Sequence, residues 1–240
     1  LYDGKLLQVV VAQGEKVKKG DVIAFLNWEL RIENWKLKTT ELRPPEMEKR
    51  LYIIAGCNGA GKTTASYTVL PKILDCREFV NADEIARGLS PFNPNSVAIE
   101  AGKLMLLRIH ELLDKGETFA IETTLATKSY IHLVRQAHTR GYSVSLLFFW
   151  LRDPALAIQR VAERVQNGGH TIPQDVIKRR YVAGIQNLFN LYMNIVDSWS
   201  IYDNSTNPRR KVATGRKSVE TEIIDCEIFK QIKAYVWEGI

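Results

Sequence analysis

Eight consecutive residues, Gly56-Cys57-Asn58-Gly59-Ala60-Gly61-Lys62-Thr63, satisfy the spacing G-x-x-x-x-G-K-[ST] and follow directly on the apolar run Leu51-Tyr52-Ile53-Ile54-Ala55. Few patterns restrict a fold more: a buried strand must end in a glycine-rich turn, and the turn must open a helix. Glycines let the backbone curl until several N–H groups point at one anion. The helix start near Lys62 adds its positive dipole end. The nucleotide-binding set expected from this loop is Gly56, Asn58, Gly59, Ala60, Gly61, Lys62, Thr63 and Thr64. Lys62 would reach the β- and γ-phosphates, and the Thr63 hydroxyl would ligate Mg²⁺.

The rest of the chain reads as α/β. With 240 residues there is room for one α/β domain and a small appendage. From residue 51 onward strand and helix patterns alternate, which argues for a parallel sheet covered by helices. Strands are expected at 51–56, 78–82, 118–122, 143–151 and 199–203. Helices are expected at 62–70, 95–115, 128–139, 154–166, 173–196 and 226–238, with Gly116 and Gly141 as helix ends. The run Val144–Leu151 is almost wholly apolar, as a strand buried on both faces should be. Leu42-Arg43-Pro44-Pro45-Glu46 reads as a linker, because paired prolines disfavour a continuing helix or central strand. It divides an accessory segment, 1–46, from a domain at 47–240.

Composition narrows the function classes. The 45% hydrophobic and 25% charged content is that of a soluble globular protein, and no apolar run approaches a membrane span. The three cysteines, Cys57, Cys76 and Cys226, lack metal-ligand spacing and an even-numbered framework, so a reduced cytoplasmic setting is expected. The net charge of +6 suits anionic ligands, but the basic residues form no aromatic-interleaved stripe, so nucleic acid is not the expected partner.

Three further stretches carry chemistry. Phe79-Val80-Asn81-Ala82-Asp83 places an acid just beyond a strand end, on the edge where an open parallel sheet binds ligands. Asp83 could accept the proton of an attacking hydroxyl, or it could cap the helix that follows. Phe119-Ala120-Ile121-Glu122-Thr123-Thr124 empties a second strand into polar residues, either to hold a polar substrate or to start a helix. Arg160 and Arg164, four apart on one helix face, precede Gly168-Gly169-His170-Thr171-Ile172-Pro173 and then Lys178-Arg179-Arg180-Tyr181. This helix–loop–helix reads as an arginine-bearing lid over a triphosphate, or else as a solvated basic helix pair. In its second helix Ile177, Tyr181, Ile185, Leu188 and Tyr192 form one apolar stripe. Arg180 flanks that stripe while Arg179 points away, so Arg180 is the expected phosphate ligand.

In this order the pieces resemble the zeta toxin family of P-loop kinases, over about Leu51 to Asp203. The resemblance implies a P-loop kinase fold with a five-stranded parallel sheet sandwiched by helices, and a small N-terminal helical segment before it. It implies ATP and Mg²⁺ as cofactors and transfer of the γ-phosphate to a sugar hydroxyl of UDP-N-acetylglucosamine. Asp83 would be the base, with Lys62, Arg160, Arg164 and Arg180 as the other catalytic groups. Glu122, Thr123 and His170 would sit with Asp83 on the acceptor side. Where the family places an arginine just before the lid proline, this chain has His170-Thr171-Ile172, so Arg164 or Arg180 would take that part. Two rival functions are a nucleic-acid end kinase and a nucleotide-binding regulator that transfers nothing.

The family implies an antitoxin, here in cis or on a separate chain. Within 1–46, Asp21 could cap a helix through Val22–Ile32, and Trp28 and Trp35 are costly to leave exposed, so an antitoxin-like element is expected there. The stretch 14–24 also echoes half of a lipoyl-type hairpin, without a modifiable-lysine half. An inert extension is the third reading.

Overall fold

The computed structural model describes residues 48–166, 169, 171–217 and 221–237. The expectations placed on 1–46, the antitoxin-like helix among them, lie outside the described residues.

Seven strands form one sheet in the order β2-β3-β1-β4-β5-β6-β7. The strands are β1 (Arg50–Ala55), β2 (Glu78–Val80), β3 (Phe119–Thr123), β4 (Ser143–Trp150), β5 (Ser198–Asp203), β6 (Arg210–Arg216) and β7 (Glu222–Ile223). The first five are parallel, as expected. The sheet then continues through two antiparallel strands, so it holds seven strands rather than five.

β1 lies at the centre because its side chains suit burial on both faces. Ile53 pairs with Ile121 on one side and Leu146 on the other, and all three are essentially unexposed. Burying each such side chain stabilises the fold by about 2 kcal/mol before entropy is counted. Phe119, Val144, Phe148, Trp150 and Ile201 extend the same core.

The helices are α1 (Lys62–Lys72), α2 (Ala82–Leu89), α3 (Ala98–Lys115), α4 (Tyr130–Thr139), α5 (Pro154–Gln166), α6 (Gln174–Asn190) and α7 (Cys226–Trp237). The α2 helix is not among the expected helix ranges, although a helix following Asp83 is one reading of that stretch. The helix expected at 95–115 starts at Ala98, after a 3₁₀ turn over Pro94–Val97, and the one expected at 173–196 stops at Asn190 before a second turn at Tyr192–Asn194. Helices end at Gly116 and just before Gly141, both left-handed, as expected. The apolar stripe on α6 is buried throughout, Ile177, Tyr181, Ile185 and Leu188 facing the core with Tyr192 beyond them.

All five parallel strands end on one edge. There β1 empties into the phosphate loop and β2 into Asn81, β3 ends in Glu122 and Thr123, and β5 empties into Asn204. Among the described residues no helix is long and apolar enough to cross a membrane.

Candidate active site

The phosphate loop turns into α1 through Gly61, whose φ of 75° lies in the left-handed region. No side chain caps the start of α1, which leaves its first-turn N–H groups without a capping oxygen. A Cβ at Gly61 would sit 2.6 Å from Asn204 Nδ2, and one at Gly59 would sit 2.8 Å from the Ala157 carbonyl oxygen. The loop is thus packed between the end of β5 and α5. Asn204 Nδ2 donates to the Ala60 carbonyl at 2.8 Å, and Lys62 Nζ donates to the Cys57 carbonyl at 3.0 Å. Both the Lys62 side chain and Asn58 are buried, while Thr64 is exposed on the outer side of the first turn.

Glu122 gathers the donor side. Its Oε2 accepts from the Thr63 hydroxyl at 2.8 Å and from Asn81 Nδ2 at 2.9 Å. Its Oε1 lies 3.6 Å from Lys62 Nζ, and both side chains are nearly enclosed, at 10% and 7% exposure. A carboxylate so enclosed needs this much compensation. Thr63 spends its one O–H on Glu122, which leaves the oxygen lone pairs for a cation.

Asp83 does not cap α2. Asn81 is the cap, its Oδ1 accepting from the Asp83 N–H at 2.8 Å. The helix start is thereby satisfied without using the Asp83 carboxylate as the cap. That residue is exposed, at the rim of a cleft of about 60 Å³ lined by Ala82, Asp83, Ala86, Pro94, Asn95 and Ala98. Nor does a helix begin at Thr123 or Thr124. Thr123 Oγ1 accepts from the Leu125 N–H at 3.0 Å, and α4 starts only at Tyr130. The intervening loop is held by α6, whose Asn187 Nδ2 donates to the Leu125 carbonyl at 2.8 Å.

The arginines divide. Arg180 of α6 reaches the phosphate loop, its guanidinium donating to Asn58 Oδ1 at 3.3 Å. Arg160 of α5 packs beside Gly59, but its guanidinium donates to the carbonyls of Asn204 (2.9 Å) and Ser205 (3.1 Å), directing its charge at the loop after β5. Arg164 closes α5, its carbonyl accepting the Gly169 N–H at 2.9 Å. Residues 167, 168 and 170 lie outside the described residues, and with them the expectation for His170. Cys57, buried in the loop, has its thiol pushed up to about 11 by desolvation, so it stays protonated at neutral pH.

A family model described as Zeta toxin matches residues 33–208, most of the chain. The chain belongs to the zeta toxin family. An uncharacterized protein of Haemophilus influenzae is 28% identical over 135 residues, covering 56% of this chain and 94% of that protein. Among solved structures, a chain of the AvrRxo1-ORF1:AvrRxo1-ORF2 complex with sulphate ions gives a TM-score of 0.66 at 16% identity, over 81% of this chain. The present chain covers 66% of that one, just under two thirds of its length. The same pair with ATP gives 0.64 at 15% identity, over 81% of this chain and 66% of that one. The PezAT chromosomal toxin–antitoxin system of Streptococcus pneumoniae gives 0.54 at 17% identity, over 92% of this chain and 97% of that one. At these identities the likeness is one of fold.

For this zeta toxin family chain the sequence reading missed two site residues, Asn81 and Asn204. Both stand just past the carboxyl end of a parallel strand, the position that drew attention to Asp83 and Glu122. The same rule would have found them, had amides been considered beside carboxylates.

Proposed function

We propose that this chain is an ATP- and Mg²⁺-dependent kinase that phosphorylates a sugar hydroxyl, with UDP-N-acetylglucosamine as the acceptor, and that it acts in the cytoplasm as the toxin of a toxin–antitoxin pair. The observation that carries the reading is the convergence of Lys62, Thr63 and Arg180 on one uncapped loop-to-helix turn, with Asp83 in the first turn of α2, just past the end of β2 on the same edge of the sheet. The acceptor and the antitoxin rest on membership of the zeta toxin family.

The donor side fits magnesium: a threonine hydroxyl with free lone pairs and a carboxylate behind it are hard oxygen donors. Bound there, the ion would neutralise phosphate charge as transfer proceeds. Lys62 exchanges the Cys57 carbonyl for phosphate oxygens. Arg180 swings its fork from Asn58 onto the transferring group. Asp83 takes the proton of the attacking hydroxyl as the new P–O bond forms and ADP leaves. Thr123 borders the acceptor.

Incubating residues 47–240 with labelled ATP and a panel of UDP-sugars, nucleosides and oligonucleotides tests the proposal. Label is expected on UDP-N-acetylglucosamine, falling by about 10²–10⁴-fold in Asp83→Asn while ATP still binds. Label confined to an oligonucleotide end would overturn the acceptor, and full activity in Asp83→Asn would overturn its role as base.

A further inference from the structure

One amide touches both halves of the site. Asn81 Nδ2 donates to Glu122 Oε2, the oxygen that also takes the Thr63 hydroxyl, while Asn81 Oδ1 accepts the Asp83 N–H. The residue is 6% exposed, and these two bonds fix the orientation of its amide, since an inverted amide would set an oxygen against the carboxylate and an NH₂ against an N–H. The path is therefore continuous: Lys62 and Thr63 to Glu122, Glu122 to Asn81, Asn81 to the first turn of α2 and Asp83.

We propose that Asn81 is a positioning residue that couples the two substrates' sites, and that Glu122 serves the nucleotide and its metal rather than the acceptor. The chemistry of the carboxylate supports this assignment. Oε2 accepts both of its hydrogen bonds from Thr63 and Asn81, and Oε1 stands 3.6 Å from Lys62, so the carboxylate is engaged from the donor side. Its work lies instead in turning the Thr63 O–H away from the cation, so that the lone pairs face it. When a triphosphate draws Lys62 off, Glu122 loses its cation and leans more heavily on Asn81 and Thr63. The same amide holds the start of α2, so occupancy of the donor site bears on where Asp83 sits. A residue in this position sets a requirement for order: the base is best placed once the metal-loaded nucleotide is in.

The proposal rests on the kinase reading, and its test separates the two. Binding of a fluorescent ATP analogue is titrated with Mg²⁺ and with EDTA, and acceptor KM and kcat are measured at saturating ATP. The proteins are the full chain, Glu122→Gln and Asn81→Asp; the second keeps the size and the capping oxygen of the amide but loses the Nδ2 donor. In Glu122→Gln the gain in affinity that Mg²⁺ confers is expected to shrink on the order of tenfold, with acceptor KM within about twofold of the parent. Asn81→Asp, which sets two carboxylates together, is expected to show the same loss of Mg²⁺ dependence and a lower kcat. A merely structural role would leave the Mg²⁺ dependence untouched in both. A rise in acceptor KM with normal Mg²⁺-dependent binding in Glu122→Gln would return that residue to the acceptor and sink the coupling. Failure of the parent protein to bind the analogue at all would overturn the kinase reading itself.

Discussion

Asn204 Nδ2 donates to the Ala60 carbonyl at 2.8 Å across 144 residues of sequence, so the phosphate loop is braced from the end of β5. Removing the amide in Asn204→Ala strips one hydrogen bond and leaves space under Gly61. The expected cost is about 1 kcal/mol of stability and a several-fold loss of ATP affinity. Urea melts and calorimetric titration with MgATP measure the two separately, and unchanged affinity would show that the loop holds its shape unaided.

Gly61→Ala forces a side chain into a left-handed residue, at about 1 kcal/mol, and drives its Cβ against Asn204 Nδ2. Nucleotide binding should be lost. Combining it with Asn204→Ala relieves the collision but not the backbone strain, so the double variant should bind better than Gly61→Ala alone. A double-mutant cycle on ATP affinity measures that coupling; strict additivity would argue that the two residues do not meet.

Arg180 and Arg179 are neighbours in sequence with opposite expectations. Arg180→Ala should lower kcat by about 10²-fold or more, since an arginine placed on a transferring phosphoryl group carries that much or greater effect. Arg180→Lys should recover little, because a point charge does not reproduce the fork. Arg179→Ala should remain within about twofold of the parent in the same steady-state assay.

Cys57 and Cys76 make the fold sensitive to alkali. Burial pushes both thiols up to about 11 from an ordinary value of 9.0, so the folded state holds protons that the unfolded chain releases first. The contribution is complete below pH 9 and is lost as pH rises from there through 11, at about 2–3 kcal/mol for a group as buried as Cys57. Cys57→Ala should therefore flatten the fall in urea stability between pH 8 and pH 10.5. An equally steep fall would place the alkaline transition elsewhere.

The parallel strands and the helices α5 and α6 were legible because burial writes itself into composition: Leu51–Ala55 and Val144–Leu151 are almost continuously apolar. The β6 strand was not. Arg210-Lys211-Val212-Ala213-Thr214-Gly215-Arg216 reads as a basic cluster, and only Val212, Ala213 and Gly215 are buried. The short α2 helix buries Ala86 alone, too little for a periodic signal. In the site, charged residues announced themselves, whereas Asn81 and Asn204 did not, because an amide acquires its part only from what the fold sets at each of its ends. For Arg160 the helix face was evident, but its partners at 204 and 205 depend on where β5 ends.

The bracing of the phosphate loop from Asn204 separates the motif from the receptor. A polypeptide ending before residue 204 would carry the strand, the glycines, Lys62, Asp83 and Glu122, and would match every signature by which such a site is recognised. It would lack the amide that holds Ala60 and the two carbonyls that hold Arg160. Such a fragment would keep all five parallel strands and still advertise a nucleotide pocket whose loop stands unbraced, because the support comes from the two residues that follow the last of those strands.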